Sequence, residues 1–217
     1  MDPEHYDLHI HSDYSDSSAE LREIVRRGIK LELNTIAITD HFWPCIGSRR
    51  GKKELIEHRR EKIEGLRKSF PQIRIFDGVE IDIASDGSYS LISGGIDQFE
   101  LIIGSFHFTL DSTTWRSALQ KAVSKWRFDI LGHWDGYLTT YRTEDGEAVA
   151  QLLAENSIAI ELNRRYDTIY PEFLELARDA GCEFTLGSDA HSVRAVGLVK
   201  DQLRLAKAME LPLKTFF

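Results

Sequence analysis

The chain has 217 residues, 27 Lys and Arg against 35 Asp and Glu, a net charge of -8 and 42% hydrophobic residues. That is enough apolar material to build a core within one domain spanning residues 1–217, with no disulfide or metal needed merely to hold a small fold together. The acidic balance argues against broad, non-specific nucleic-acid binding as the main task. Cys45 and Cys182 form no CxxC pair, no apolar run approaches a membrane span, and the polar N-terminus lacks a signal peptide. A reduced, cytoplasmic protein with no membrane partner is therefore expected, its oligomeric state unknown.

Apolar strand-like runs alternate with helix-period segments from end to end. Residues 6–11 predict a strand, and 18–31 an amphipathic helix that Ser residues are placed to cap. Residues 34–39 (NTIAIT) form a short β-branched run, hence a buried strand. A charged helix over 53–69 is broken by Pro71, and 73–83 contains the next strand. Strands follow at 101–104, 128–131, 158–162 and 182–186. Between and after them come helices at 113–125, 144–155, 171–180 (stopped by Gly181) and 194–209. Seven short strands alternating with helices imply a parallel α/β sheet of βαβ units, either open and doubly wound or a barrel one unit short. In both, chemistry belongs at the C-terminal ends of the strands.

Six of the 8 histidines fall within or just after a predicted strand: His9, His11, His41, His107, His133 and His191, with His5 and His58 outside the pattern. Carboxylates accompany them at Asp16, Asp40, Glu80 and Asp189. His9 and His11 are i and i+2 on a strand, so both rings leave one face, roughly 7 Å apart at the backbone. Asp189 and His191 repeat the spacing near the other end. Imidazole with carboxylate and no thiolate favours Zn, Mn or Fe. Setting Asp40 aside as an orienter, nine ligating groups exceed what one ion takes. Two or three divalent ions are expected, with Glu80 and Asp189 the candidates for bridging. A single histidine at a strand end is usually just a hydrogen-bonded surface residue; six together with interleaved carboxylates are hard to reconcile with that reading.

The segments DLHIHSDYSD, ITDH, GVEID, IGSFH, LGHWD and LGSDAH run in order through nearly the whole chain and resemble the polymerase-and-histidinol-phosphatase (PHP) family of metal-dependent phosphoesterases. The resemblance implies a distorted (βα)7 barrel with a trinuclear metal site at its mouth. It implies His9, His11, Glu80 and Asp189 on one ion; Glu80, His107 and His133 on a second; and Asp16, His41 and His191 on a third. From His41 onward the chain is most similar to the histidinol-phosphatase branch. Asp16, where that branch often carries histidine, is instead similar to polymerase-associated and nucleotidase-like members.

The implied reaction is hydrolysis of a phosphomonoester, of histidinol-phosphate type or another small phosphorylated metabolite, by a metal-bridging hydroxide. Asp40 is expected to orient ligands, and Arg164, Arg165 and Arg194 to contact phosphate. The basic run containing Arg49 and Arg50 is expected to overhang the site and attract an anionic substrate; its plainer reading is a solvated helix start. Trp43, Phe42, Phe108 and Trp134 adjoin ligand positions, with core packing the expected role of at least half. Cys45 lacks a visible base partner and reads as inert. Competing readings are an oligonucleotide phosphodiesterase on the same metals and a non-catalytic metal-dependent regulatory module.

Overall fold

The structure is a computed structural model and describes residues 5–42 and 52–215. Seven strands appear in chain order: β1 (Tyr6–Ile10), β2 (Thr35–Ile38), β3 (Arg74–Asp82), β4 (Leu101–Ser105), β5 (Ile130–Leu131), β6 (Ala159–Asn163) and β7 (Phe184–Gly187). Six helices accompany them: α1 (Leu21–Lys30), α2 (Lys53–Ser69), α3 (Ser112–Val123), α4 (Thr143–Glu155), α5 (Glu172–Asp179) and α6 (Lys200–Ala208). The sheet order is β1 to β7, and each pairing whose register is defined is parallel. Strands β1, β2, β4, β6 and β7 are buried along their whole length, their polar members Asp7, His9, Glu161, Asn163 and Thr185 included. Past β7 the chain returns to the first strand, with Ala190 bridging Ile10 and Ser188 N donating to Asp7. A sheet in chain order whose last segment returns to its first strand is the expected (βα)7 topology.

The distortion lies between β3 and β4. No helix connects them; the intervening residues are rich in Ser, Gly and Asp and turn at Gly87, Gly94 and Gly95, all at positive φ.

Contacts divide the chain into two compact units. One takes in the described part of Met1–Glu80 with Leu91–Ile102 and Leu186–Val199. The other takes in Ile81–Ser90, Ile103–Thr185 and the described part of Lys200–Phe217. In the first unit, α1 buries Leu21, Ile24, Val25 and Gly28, one stripe at helical spacing, against a core that includes Ile36, Ile38, Ile73 and Ile75. The stripe of α2 is Ile56, Arg59, Ile63 and Leu66, so an arginine occupies a core position. In the second unit Trp115, Trp134 and Phe173 stack around one another, with ring centroids 4.4 to 5.9 Å apart.

Two helix expectations change. The N-cap of α1 is Glu20, with no side-chain cap bond; Ser17 Oγ instead accepts from Ala19 N. The closing helix begins at Lys200 rather than at residue 194, because Gly197 adopts φ +75° and its N–H donates to the buried Asp7 carboxylate. That bond holds 193–197 as turns.

Candidate metal centre

The ligand positions gather at strand ends for a simple reason. Parallel strands end on one side, and residues near those ends face the same region. In the first unit this brings together His9, His11, Asp16, His41, Glu80, Asp189 and His191. His9 Nε2 lies 3.1 Å from both His11 Nε2 and Glu80 Oε2. His11 Nε2 is 3.3 Å from Glu80 Oε2 and 3.4 Å from Asp189 Oδ1, and His41 Nε2 is 3.3 Å from Glu80 Oε2. Two donors on a tetrahedral ion, with bonds of about 2.0–2.2 Å, sit about 3.3–3.5 Å apart. The donor atoms are therefore spaced close to the edges of a coordination polyhedron. His9, His11 and Glu80 make one ligand trio, His11, Asp16 and His41 another, and His11, Asp189 and His191 a third. His11 Nδ1 is buried without a hydrogen-bond partner among the described residues. Every donor is imidazole nitrogen or carboxylate oxygen, the set that suits Zn, Mn or Fe. By spacing and by chemistry, these residues fit divalent ions.

The second unit supplies His107 and His133, whose ring centroids are 4.8 Å apart. His107 Nδ1 hydrogen-bonds Asp82 Oδ1, an arrangement in which Nε2 is the ring nitrogen that could take a metal. In the first unit His191 is oriented likewise, with Nδ1 3.0 Å from the Asp189 carbonyl and Nε2 3.0 Å from Asp16 Oδ2. His133 has φ 24° and Asp189 φ 51°, a left-handed backbone that costs side-chain-bearing residues about 1–3 kcal/mol each. Glu161 steadies the first of these by accepting His133 N at 2.8 Å. His133 is thus held by a neighbour in a conformation it would not choose.

Electrostatics follow from crowding. Burial pulls the His11 pKa down, but Asp189 and Glu80 beside it win and raise it to about 9. Burial alone would raise Asp189 and Asp16. The neighbouring histidines, His9 and His11 for Asp189 and His191, His11 and His41 for Asp16, hold both far below the usual carboxylate range. The carboxylates stay ionised and the imidazoles compete for protons, which is the charge balance a divalent ion would replace.

Asp40, expected to orient ligands, touches none of the ligating rings through a described bond. Its buried carboxylate accepts Ser12 N at 2.7 Å, Ser12 Oγ at 2.7 Å, Ser15 Oγ at 2.6 Å and Arg59 Nη1 at 2.8 Å. It positions the turn between His11 and Asp16. Arg59 also bonds Asp77 and the Gly78 carbonyl, and lies 4.6 Å over the Phe42 ring. Burial would raise the Asp40 pKa, yet Arg59 and the hydroxyl donors hold it down.

Arg164 and Arg165 are exposed just past β6. Arg194 points elsewhere: it lines a cavity against α1 that includes no residue of the ligand cluster, because the turns after His191 carry it down that helix. Arg49, Arg50, Trp43 and Cys45 lie outside the described residues. Phe42 and Trp134 are buried in the core, while Phe108 is partly exposed.

Four contributors were not singled out from the sequence. Asp82 had a visible signal, standing two residues after Glu80 on the same strand. Asp7, which ties β1 to Ser188 and Gly197, has the same two-residue spacing to His9. Glu161 had none, and Arg59 had only its place at the helical spacing of Ile56, Ile63 and Leu66, since the roles of both arise from distant partners.

Residues 7–165 match the PHP domain family. The chain is 28% identical over 209 residues to the DNA polymerase/3'-5' exonuclease PolX of Bacillus subtilis, covering 93% of this chain and 36% of that protein. It is 26% identical over 233 residues to a protein of Escherichia coli K12 named probable phosphatase YcdX, covering 95% and 86%. Its fold superposes on the crystal structure of histidinol phosphate phosphatase HisK from Lactococcus lactis, complexed with Zn, L-histidinol and phosphate. The TM-score is 0.76, with 21% identity, 98% of this chain and 97% of that one. With the family match spanning most of the chain, its motifs in order and its histidines and carboxylates at the strand ends, this chain belongs to the PHP domain family of metal-dependent phosphoesterases.

Proposed function

We propose that this chain hydrolyses a phosphomonoester of a small metabolite, of histidinol-phosphate type, at a site of two or three divalent ions. The observation that carries the reading is the meeting of His9, His11, Glu80 and Asp189 with donor atoms 3.1 to 4.0 Å apart, flanked by Asp16, His41 and His191. Support comes from two relatives: the coverage of YcdX, and the fold shared with a phosphatase crystallised with zinc and phosphate.

The residues divide the work. His9, His11, Glu80 and Asp189 hold one ion, and Asp16, His41 and His191 another, while His107 and His133 offer donors to a further one. Bound divalent ions would lower the pKa of water and take up charge from the phosphate oxygens. Asp82 presents Nε2 of His107, and Asp40 keeps the Ser12–Ser15 turn in register so that Asp16 faces His191. Tyr166 and Tyr137, joined by their hydroxyls at 3.0 Å, pack against His133 with centroids 4.9 and 5.9 Å away and form an aromatic wall beside it. Arg164, exposed past β6, is the phosphate contact in this reading. A cytoplasmic setting is part of this reading; among the described residues no helix is long and apolar enough to cross a membrane.

The similarity to PolX favours one second reading, cleavage of an oligonucleotide on the same ions. Steady-state turnover of a phosphoester panel by the metal-loaded protein separates the two. The panel holds an aryl phosphate, histidinol phosphate, nucleoside monophosphates and short oligonucleotides. Monoester turnover that His107→Ala lowers by at least about a hundredfold is the expected result. Oligonucleotide cleavage without monoester turnover would replace it with the nuclease. Silence on every substrate, with metal bound, would leave a metal-dependent binding module.

A further inference from the structure

The flank of α1 carries a concentration of positive charge that the metal chemistry does not use. Arg26, Arg27, Lys30 and Arg194 line a cavity of about 410 Å3 together with Glu23 and Val193. None of the four cations forms a hydrogen bond or ion pair with another described residue. Arg27 is half-buried and its Nε is shielded from water with no acceptor, an unusual state for a guanidinium nitrogen.

Several other arginines and lysines on the surface are paired. Arg67 pairs with Glu64 and Glu100, Arg142 with Glu144, Arg204 with Asp201 and Lys53 with Glu57. Acidic partners are in excess, 35 against 27 basic residues, yet here four cations face a single carboxylate. Glu23, one helical turn before Arg26 and Arg27, makes an ion pair with neither.

We propose that this cavity is a binding site for a phosphate chain, meaning two or more linked phosphates, separate from the metal cluster. Arg26 and Lys30 are one turn apart on α1, about 6 Å along its axis, and Arg194 faces them from the loop after β7, so the charge is spread rather than focused on one point. A single phosphate would engage part of this array; linked phosphates engage all of it. Guanidinium forks match phosphate oxygens in pairs, and Arg26, Arg27 and Arg194 bring three of them to one cavity. The volume lies in the range of small-ligand sites, and Val193 is the sole apolar lining side chain, so recognition rests on charge. An oligonucleotide backbone and an inorganic polyphosphate share this chemistry.

The test is calorimetric titration of the metal-loaded protein, with free metal matched in cell and syringe. The probes are inorganic tripolyphosphate, orthophosphate and a hexathymidylate, at low and moderate salt. Three variants accompany the wild type: R26Q/R27Q/K30Q on the helix, R194Q on the loop, and H9A in the metal cluster. The wild type is expected to bind tripolyphosphate or hexathymidylate well above orthophosphate, with log affinity falling against log salt at a slope of about -2 to -3. The tighter of the two chains names the source. H9A should retain that binding, the triple variant should weaken it at least about tenfold and flatten the slope, and R194Q should weaken it by less. R194Q leaves α1 intact, so it decides the matter if the triple variant folds poorly. Binding that both patch variants leave unchanged, binding that H9A abolishes, or no preference for linked phosphates would overturn the proposal.

Discussion

Arg59 is a single residue on which much of the first unit's polar interior depends. It is buried, it faces Asp40 and Asp77, and it caps the Gly78 carbonyl two residues before Glu80. Removing one partner of a buried pair leaves the other charge uncompensated, which costs about 3–5 kcal/mol. Arg59→Met is therefore expected to lower stability by that amount at pH 7, as read by urea denaturation. The loss should shrink at acid pH, where the buried Asp40, stripped of its cation, takes up a proton in the variant. Activity should fall further than stability alone requires, because the Ser12–Ser15 turn that presents Asp16 hangs on the Asp40 carboxylate. A variant with wild-type stability at pH 7 would show that this pair does not support the site.

At the scale of an element, β5 is the tightest. It has two residues, Ile130 and Leu131, and the next two, Gly132 and His133, carry the chain into a ligand position. A Cβ on Gly132 would collide with Ser105 Oγ and come within 2.6 Å of Ile103 Cγ2, both on β4. Neither neighbour can retreat, because β4 is buried throughout. Gly132→Ala is expected to cost about 1–3 kcal/mol through overpacking and to displace His133. The check is paired: thermal melting for the stability loss, and the apparent affinity for activating metal, which should weaken by at least about tenfold. Unchanged metal affinity with lowered stability would mean that β5 shifts without disturbing the ligand. The helices show a complementary lesson. Helix α2 matches its expected span at Lys53–Ser69, since Pro71 stops it locally, whereas α6 starts six residues later than its periodicity suggests because a tertiary bond at Gly197 claims the preceding turns.

For the whole molecule, the charge state of the cluster sets how stability responds to pH and metal. His11 titrates near 6.5 in an unfolded chain and at about 9 in the folded, metal-free protein. The folded state therefore holds a proton that the unfolded state releases, a contribution fully present below about pH 6.5 and lost as pH rises toward 9. Metal binding runs the other way, because it requires neutral imidazole and gains as protons leave. Melting the metal-stripped protein from pH 6.5 to 9 should show a falling midpoint, while the gap between stripped and manganese-loaded protein widens. At a hundredfold excess over the dissociation constant, loading adds about 2.7 kcal/mol. A flat midpoint for the stripped protein across that window would place no such proton in the cluster.

The sequence by itself determined the alternation of strands and helices, the family, and the placement of the histidines and carboxylates at strand ends. These are local properties: hydrophobic period, turn chemistry at Pro71 and Gly181, and motifs whose residues lie within a few positions of one another. Asp82 belongs with them, since its spacing from Glu80 was legible, though its bond to His107 was not. Only the tertiary structure decided which of many similar charged residues does what. Arg59 shares the helical spacing of Ile56, Ile63 and Leu66 in α2, but only packing against β2 and β3 places it between two carboxylates. Arg194 follows the SDAHS motif closely enough to suggest a phosphate clamp, but the Asp7–Gly197 bond turns its loop toward α1, among cations that share no motif with it. Direction and burial are set by partners far away in the chain, and a linear reading carries no record of them.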